Sequence, residues 1–284
     1  MSFLFVDKIV ALVPRISICG YKSITANDIY LSCNGRNERA HFLPTLIGET
    51  LGQLAAWNIM SAYDFTVRPV AGVVASARFL RNAYVGETLI LEAIIDNIDD
   101  QAVQYHATAR VADEVLVSLE GAIGPLLPMR EFIAIHEVKR QFDSIYQTKK
   151  NPDFELQQRT PITFGFDHIY EFEPWAMLSA HKQVADEDTY FIDHFPLRPV
   201  LPMTILLECI VNLVYEFIER SNSTVMYKLI ELRKIKMNEF INPKDIIVTH
   251  LKVKALDNRQ LILSCYSEVN NKRVCIVEVV MEGC

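Results

Sequence analysis

Residues 194–202 read HFPLRPVLP, and the apolar stretch MTILLECIVNLVYEFIER (203–220) follows at once. This segment places an imidazole, a proline-led helix start and the carboxylate of Glu208 within one turn-and-helix unit. Pro202 suits the first turn of a helix, because its missing N–H would have no helical partner there. The stretch therefore predicts a helix over 203–220, next to groups that can move protons.

A partly eroded copy of this unit lies near the N-terminus. Residues 3–14 (FLFVDKIVALVP) align with residues 163–174 (TFGFDHIYEFEP) at an offset of 160. Further along the chain, Glu49 aligns with Glu208 at an offset of 159, so the register changes little. A match sustained over this length indicates an internal duplication.

Each copy contains one helical segment followed by long alternating segments that are typical of β-strands. In the first copy the predicted helix covers 45–61, and the predicted strands cover 73–80, 88–97, 104–112 and 115–123. In the second copy the helix covers 203–220, and the strands cover 228–237, 245–255, 260–269 and 272–281. One helix per antiparallel sheet must pack on a sheet face, since both elements otherwise expose apolar surface.

The predicted class is therefore α+β, with two similar domains in one chain. The N-terminal domain covers 1–127 and the C-terminal domain covers 163–284. The charged segment 128–162 between them is interpreted as a linker, with a helical patch near 130–146.

Composition narrows the function classes. Of the 284 residues half are apolar, and the net charge of −7 offers no basic surface for nucleic acid. The longest later apolar run, 204–218, is too short to span a bilayer and contains Glu208, so no membrane association is expected. The six scattered cysteines form no C-x-x-C pair and are interpreted as reduced thiols. Since the first residues also lack the features of a signal peptide, we expect a cytoplasmic protein.

The HFP-x-x-P-x-x-P segment, with an acid fourteen residues after its histidine, resembles the 3-hydroxyacyl-acyl-carrier-protein dehydratases of fatty-acid synthesis. FLFVDKIV at 3–10 and ARFLRNAYVGETL at 77–89 carry the same resemblance, which covers most of 3–127 and 163–282. It implies the hot-dog fold, an antiparallel sheet wrapped around one long central helix. Here two hot-dog domains in tandem would form a pseudo-dimer within one chain, and further self-association to a homodimer stays open.

Dehydration of a 3-hydroxyacyl thioester to the trans-2-enoyl product needs a base, an acid and donors for the enolate-like oxygen. A neutral imidazole with an ordinary pKa of about 6.5 suits the base, which is assigned to His194. The resemblance implies that the Val200 carbonyl fixes the imidazole tautomer. The backbone N–H of Met203, at the positive end of the helix, is expected to donate to the thioester oxygen.

The acid is assigned across the two copies. In the related homodimers, the histidine of one subunit works with the carboxylate of the other, so the resemblance implies Glu49 as the partner of His194. Gln53 lies four residues after Glu49 on the same helix face, where its amide can hold the carboxyl in place.

The opposite site, with Glu208 and Asn212, is predicted to be silent. The position that should carry its histidine is Gly35 or, allowing for a one-residue shift, Arg36, and neither can act as the base. His41 lies nearby in sequence but out of alignment.

The resemblance implies a substrate on the phosphopantetheine arm of acyl carrier protein, or on CoA, and no cofactor. The other histidines lack metal-ligand spacing, so no metal is expected. Arg198 and Arg233 could contact the phosphate of that arm or be ordinary surface cations. Met203 and Thr45 stand where the family usually has glycine, which would narrow the thioester slot. Two other functions stay open: a hot-dog thioesterase, and a non-catalytic partner that binds acyl chains or carrier protein.

Overall fold

The computed structural model describes residues 3–32, 39–146, 164–257 and 259–284. Within these ranges, the N-terminal half contains one long helix and ten strands. In chain order these are β1 (Lys8–Val13), β2 (Ser17–Ser23), β3 (Leu31–Ser32), β4 (His41–Phe42), α1 (Pro44–Ala62), β5 (Val67–Pro69), β6 (Val73–Phe79), β7 (Ala83–Tyr84), β8 (Thr88–Ile98), β9 (Ala102–Val111) and β10 (Glu114–Pro128).

A short 3-10 turn (Met129–Glu131) and helix α2 (Ile135–Tyr146) follow the first half. The C-terminal half then repeats the order of the longer elements. These are β11 (His168–Glu173), β12 (Met177–Gln183), a 3-10 turn (Thr189–Ile192), α3 (Met203–Arg220), β13 (Tyr227–Met237), β14 (Ile246–Leu256), β15 (Gln260–Val269) and β16 (Lys272–Gly283).

One large antiparallel sheet runs through both halves. Its strand order is β1-β2-β8-β9-β10-β6-β13-β16-β15-β14-β12-β11, and β5 pairs with the end of β10. Outward from β6 the strands are β10, β9, β8, β2 and β1. Outward from β13 they are the counterparts of these strands in the same order, namely β16, β15, β14, β12 and β11. Ala77 lies opposite Leu232 in the central β6–β13 pair, so hydrogen bonds join the two halves. This antiparallel sheet with few helices confirms the predicted α+β class.

The strand starts agree with the offset of 160 read from the sequence at the start of each copy, since β1 and β11 begin 160 residues apart. The offset then falls slightly along the chain, and β8 and β14 begin 158 residues apart. The predicted second helix has the bounds of α3, and the predicted first helix differs from α1 by one residue at each end. The alternating burial along β15 reflects one face on the core and one face outward.

The core lies between the sheet and the two long helices, which also contact each other. In α1 the side chains of Leu46, Leu51 and Leu54 have no exposed surface, and in α3 the same is true of Leu206 and Phe217. Fully burying such a side chain contributes about 1.5–3 kcal/mol. Packing therefore fixes the rotation of each helix about its axis, and with it the positions of the helix side chains that line the cavity described below.

Helix α2 belongs structurally with the N-terminal half. Its Val138 is fully buried, and the ring of Phe142 lies 5.9 Å from that of Trp57 and 5.3 Å from that of Phe65. The helical patch predicted within the linker is thus confirmed, but it packs on the first half and does not simply cross between the halves. The rest of the predicted linker, 147–162, lies outside the described residues.

Two further expectations concern cysteines and membranes. Five cysteines in the described parts of the chain are free thiols, namely Cys19, Cys209, Cys265, Cys275 and Cys284, whereas Cys33 lies outside them. Within the same parts, each helix is too short or too polar to cross a bilayer.

Candidate active site

The segment before α3 holds the His194 ring in place. His194 Nδ1 lies 3.0 Å from the Val200 carbonyl oxygen, and the Val200 N–H donates back to the His194 carbonyl at 3.1 Å. The ring stacks on Phe195 at a centroid distance of 4.0 Å and meets Phe3 edge-on at 5.4 Å. A carbonyl oxygen can only accept a hydrogen bond, so Nδ1 carries the proton and Nε2 of the neutral ring has a free lone pair.

Burial also keeps the His194 ring neutral. Loss of solvent is the largest influence and lowers the pKa of His194 from its ordinary value of 6.5. The nearby Arg68 cation lowers it further, while the Glu49 carboxylate and the Val200 carbonyl act in the opposite direction. An imidazole in this environment suits proton acceptance at neutral pH.

Glu49 is held from both halves of the molecule. Gln53, one turn later on α1, donates its amide N–H to Glu49 Oε1 at 3.0 Å. Thr204, in the first turn of α3, donates its hydroxyl to Glu49 Oε2 at 2.8 Å. Gln53 also donates to the Phe3 carbonyl and accepts from the Phe5 N–H, both at 2.9 Å. Both carboxylate oxygens therefore have fixed partners.

One cavity of about 140 Å³ brings the predicted residues together. Its wall includes His194, Val200 and Met203 from the second half, with Glu49 and Gln53 from the first half. Most of the remaining wall is apolar and comes from both halves of the sheet, for example Val74, Leu119, Ile123, Leu232 and Phe240. Polar groups thus cluster in a space that otherwise suits a hydrocarbon chain.

The predicted silent site has a different environment. Glu208 is only 5% exposed, and burial raises its pKa to about 7. Thr45 donates its hydroxyl to Glu208 Oε2 at 2.6 Å, and the Asn212 amide donates to the Phe164 carbonyl at 3.1 Å. Neither Glu208 nor Asn212 lines the cavity that contains His194.

The remaining sequence candidates fall elsewhere. Gly35 and Arg36 lie outside the described residues. His41 is buried in β4, and its ring lies 6.3 Å from the Tyr84 ring. Arg198 pairs with Glu131 at 3.1 Å, and Arg233 pairs with Glu278 at 2.9 Å. The described residues contain no cluster of three or more potential metal-ligating side chains.

The equivalence between the two helix starts needs a correction. Thr45 and Met203 were predicted to occupy matching positions, because each follows a proline. In the structure Pro44 is the first residue of α1, whereas Pro202 precedes α3 as its N-cap. Thr45 therefore matches Thr204, at the offset of 159 that also relates Glu49 to Glu208. The same offset could have identified Thr204 from the sequence.

Two more polar residues in the cavity were missed. Arg68 in β5 and Tyr105 in β9 both line it. Burial lowers the pKa of Arg68 to about 10, and it raises the pKa of Tyr105 above its ordinary value. No motif marks either residue, since β5 is only three residues long and a tyrosine in a strand is usually a packing residue.

Comparison with known proteins adds independent information. Residues 174–277 match the family model of ApeI-like dehydratases, described as ApeI dehydratase. Curated relatives include 3-hydroxyacyl-[acyl-carrier-protein] dehydratase FabZ from Pediococcus pentosaceus, which is 25% identical over 128 residues. That match covers 44% of this chain and 84% of the relative. FabZ from Shewanella woodyi is 26% identical over 134 residues, covering 44% of this chain and 87% of the relative.

Solved structures share the fold at low sequence identity. The dehydratase domain of PpsC from Mycobacterium tuberculosis, in complex with C12:1-CoA, superposes with a TM-score of 0.55 at 10% identity and full coverage of both chains. A putative oleoyl thioesterase from Lactobacillus plantarum gives a TM-score of 0.58 at 13% identity, covering 94% of this chain and 96% of that one. At these identities the likeness shows a common hot-dog fold.

Proposed function

We propose that this chain, a hot-dog protein of the 3-hydroxyacyl-acyl-carrier-protein dehydratase family, dehydrates 3-hydroxyacyl thioesters to trans-2-enoyl thioesters. We further propose a tandem double hot-dog, with domains at 1–127 and 163–284 that form a pseudo-dimer. The strand order that repeats outward from β6 and β13 supports this arrangement.

The single observation that carries the proposal is the meeting of His194 and Glu49 at one cavity. The two residues come from different halves and lie 145 positions apart in sequence. Thr204, from the half that supplies His194, holds the Glu49 carboxyl. A base and an acid that converge on one apolar cavity suit an elimination reaction.

The proposed reaction begins at the carbon between the thioester carbonyl and the hydroxyl-bearing carbon. His194 Nε2 takes a proton from that carbon, and charge develops on the thioester oxygen. The Met203 N–H, at the start of α3, stabilises this charge with the help of the helix dipole.

The carbon–oxygen bond then breaks as Glu49 gives its proton to the departing hydroxyl. Water leaves, and the electron pair of the broken C–H bond becomes the new double bond. Transfer of the proton on His194 back to Glu49 by way of solvent resets the site. The reaction is redox-neutral, so the proposal includes neither a cofactor nor a metal.

The substrate is proposed to be an acyl chain on the phosphopantetheine arm of acyl carrier protein, or on CoA. The relatives named FabZ act on acyl-carrier-protein substrates by their names, and the PpsC domain was solved with an acyl-CoA. The apolar part of the cavity wall, which includes Val74 and Leu119, is suited to the hydrocarbon chain.

Replacement of His194 by alanine tests the proposal. The variant should lower kcat/KM for enoyl formation by about 10²–10⁴-fold, because the step then lacks its base. Enoyl thioester is measured by its absorbance and by mass spectrometry, and circular dichroism checks that the variant is folded. Unchanged turnover would reject the proposed role.

The same product analysis separates the alternatives. Release of free acid and free thiol would indicate a thioesterase. Tight binding of acyl carrier protein without any turnover would indicate a non-catalytic partner.

A further inference from the structure

Strand β5 brings a guanidinium group to the cavity. Arg68 is the middle residue of this strand and lies opposite Leu127 at the end of β10. Its side chain is half-buried, lines the cavity and lies over the ring of Phe195, with Cζ 4.2 Å from the ring centroid. Phe195 directly follows His194, so the cation is fixed beside the proposed base.

The Arg68 guanidinium lacks a hydrogen-bond acceptor among the described residues. Its Nε is enclosed and has no partner there. The ring of Phe195 stabilises the positive charge through its face but accepts no N–H in the guanidinium plane. A buried donor without an acceptor is unfavourable, and more so on a charged group. Arg68 also lines the cavity, and no hydrogen bond or ion pair joins its guanidinium to another described residue, so a ligand in the cavity is the partner that can supply an acceptor.

Glu49 does not fill this role. Its two oxygens already accept from Gln53 and Thr204, and the ion pairs within 4.0 Å in the described parts of the chain do not include Arg68 with Glu49. The carboxylate is still close enough for its charge to raise the pKa of Arg68, against the larger lowering caused by burial. With a pKa of about 10, Arg68 remains a cation at neutral pH.

The electrostatic partners of Arg68 locate it along the cavity. Its charge acts on His194, lowering the pKa of the imidazole, and interacts with Glu49. Its guanidinium lies 4.2 Å over the Phe195 ring, which stacks on the His194 ring, so Arg68 is in the polar part of the cavity, where the proposed reaction takes place. An oxygen atom of the reacting part of the substrate is the acceptor within its reach.

We propose that Arg68 binds the 3-hydroxyl oxygen of the substrate and selects hydroxylated acyl chains over saturated ones. The inference rests on the proposed function, which places this hydroxyl beside Glu49. While Glu49 protonates the departing hydroxyl, the guanidinium stabilises the negative charge that builds on its oxygen. Arg68 transfers no proton, so the balance of the reaction is unchanged.

Binding measurements test this selection without turnover. The background is the full chain carrying His194→Ala, and the probes are 3-hydroxyoctanoyl-pantetheine and octanoyl-pantetheine, whose dissociation constants are measured by calorimetry. We expect the background protein to prefer the hydroxylated probe by about 10- to 100-fold, as for a hydrogen bond to a charged donor. Adding Arg68→Met should remove that preference and leave the affinity for octanoyl-pantetheine unchanged.

Two further variants keep the result interpretable. Arg68→Lys retains a cation on a differently shaped side chain and should retain part of the preference. Arg78→Met removes an arginine whose side chain is 63% exposed, and it should leave the preference intact.

A preference that survives Arg68→Met would overturn the inference. An equal loss of affinity for both probes in the Arg68 variants would also overturn it, because such a loss indicates a structural role. The same holds if the His194→Ala protein binds the two probes equally well. Selection that depends on Arg68, in a wild-type protein that forms no enoyl product, would support hydroxyl recognition while rejecting the proposed dehydration.

Discussion

Individual side chains determine how the proposed site responds to pH. Burial, reinforced by the Arg68 cation, holds the pKa of His194 below 6.5. The neutral imidazole that acts as base therefore persists into mildly acidic solution. We predict that the acidic limb of the pH profile of kcat/KM lies below pH 6.5, as measured with a pantetheine thioester. An acidic limb above pH 6.5 would contradict a lowered pKa for His194.

The second buried acid affects stability instead of catalysis. Burial raises the pKa of Glu208 from 4.5 to about 7 in the folded protein. Below pH 4.5 Glu208 is protonated in both the folded and the unfolded states, so this contribution to stability is fully present. As the pH rises above 4.5, Glu208 ionises first in the unfolded state, which is thereby favoured. The contribution of Glu208 to folding stability is lost once the pH passes about 7.

Glu208→Gln removes this ionisation while retaining an acceptor for the Thr45 hydroxyl. We predict that the variant gains stability over the wild type at pH 8, on the order of 3 kcal/mol from the pKa difference. The gain should nearly vanish at pH 4.5. Denaturant unfolding at the two pH values measures it, and an equal difference at both would show that Glu208 does not ionise with a raised pKa.

At the scale of elements, helices α1 and α3 exchange matching hydrogen bonds. Thr204 on α3 donates to Glu49 on α1, and Thr45 on α1 donates to Glu208 on α3. Only the first of these bonds fixes a carboxyl that lines the cavity. The two threonines therefore provide a matched pair of variants.

We predict that Thr204→Val lowers kcat/KM about tenfold or more, because Glu49 loses a donor to one carboxylate oxygen. Thr45→Val removes the equivalent bond to Glu208, which does not line the cavity; although Thr45 itself borders the cavity, this variant should lower kcat/KM less than Thr204→Val does. Steady-state kinetics with a 3-hydroxyacyl thioester provides the comparison. Equal kinetic losses in the two variants would mean that both bonds act only through packing.

The sequence predicts those helices and strands in which apolar residues recur with a clear helical or strand period. The long strands and both long helices follow alternation and helical spacing, and α3 has the predicted bounds. The short strand β5 has too few residues for any period, and only tertiary pairing with β10 defines it. Arg68 was missed for that reason, since an arginine outside a motif is expected at the surface.

Spacing in the sequence also predicted that His194 and Glu49 share a site, and the structure places both residues at one cavity. His194 and Glu208 are related by a motif, and the repeat then identified Glu49. The starts of the two helices differ by one residue relative to their prolines. The offset of 159 between Glu49 and Glu208 already implies the match of Thr45 with Thr204, and the helix starts agree with it.

At the scale of the whole molecule, one continuous sheet fixes the two halves relative to each other. The pairing of β6 with β13 sets their register, with Ala77 opposite Leu232 and Val74 opposite Ile235. Because each half supplies one of the two proposed proton-transfer groups, this register also sets their separation across the cavity. A single chain would then contain one complete site and one that lacks a recognised base.

The most direct test of this cross-half site compares Glu49→Gln with Glu208→Gln. Both changes replace a helix carboxyl that accepts a hydrogen bond from a threonine of the other half, so each controls for the other. We predict that Glu49→Gln lowers kcat/KM for enoyl formation by about 10²–10⁴-fold, while Glu208→Gln stays within about threefold of the wild type. A loss confined to Glu208→Gln, or an equal loss in both variants, would contradict a single site built from His194 and Glu49.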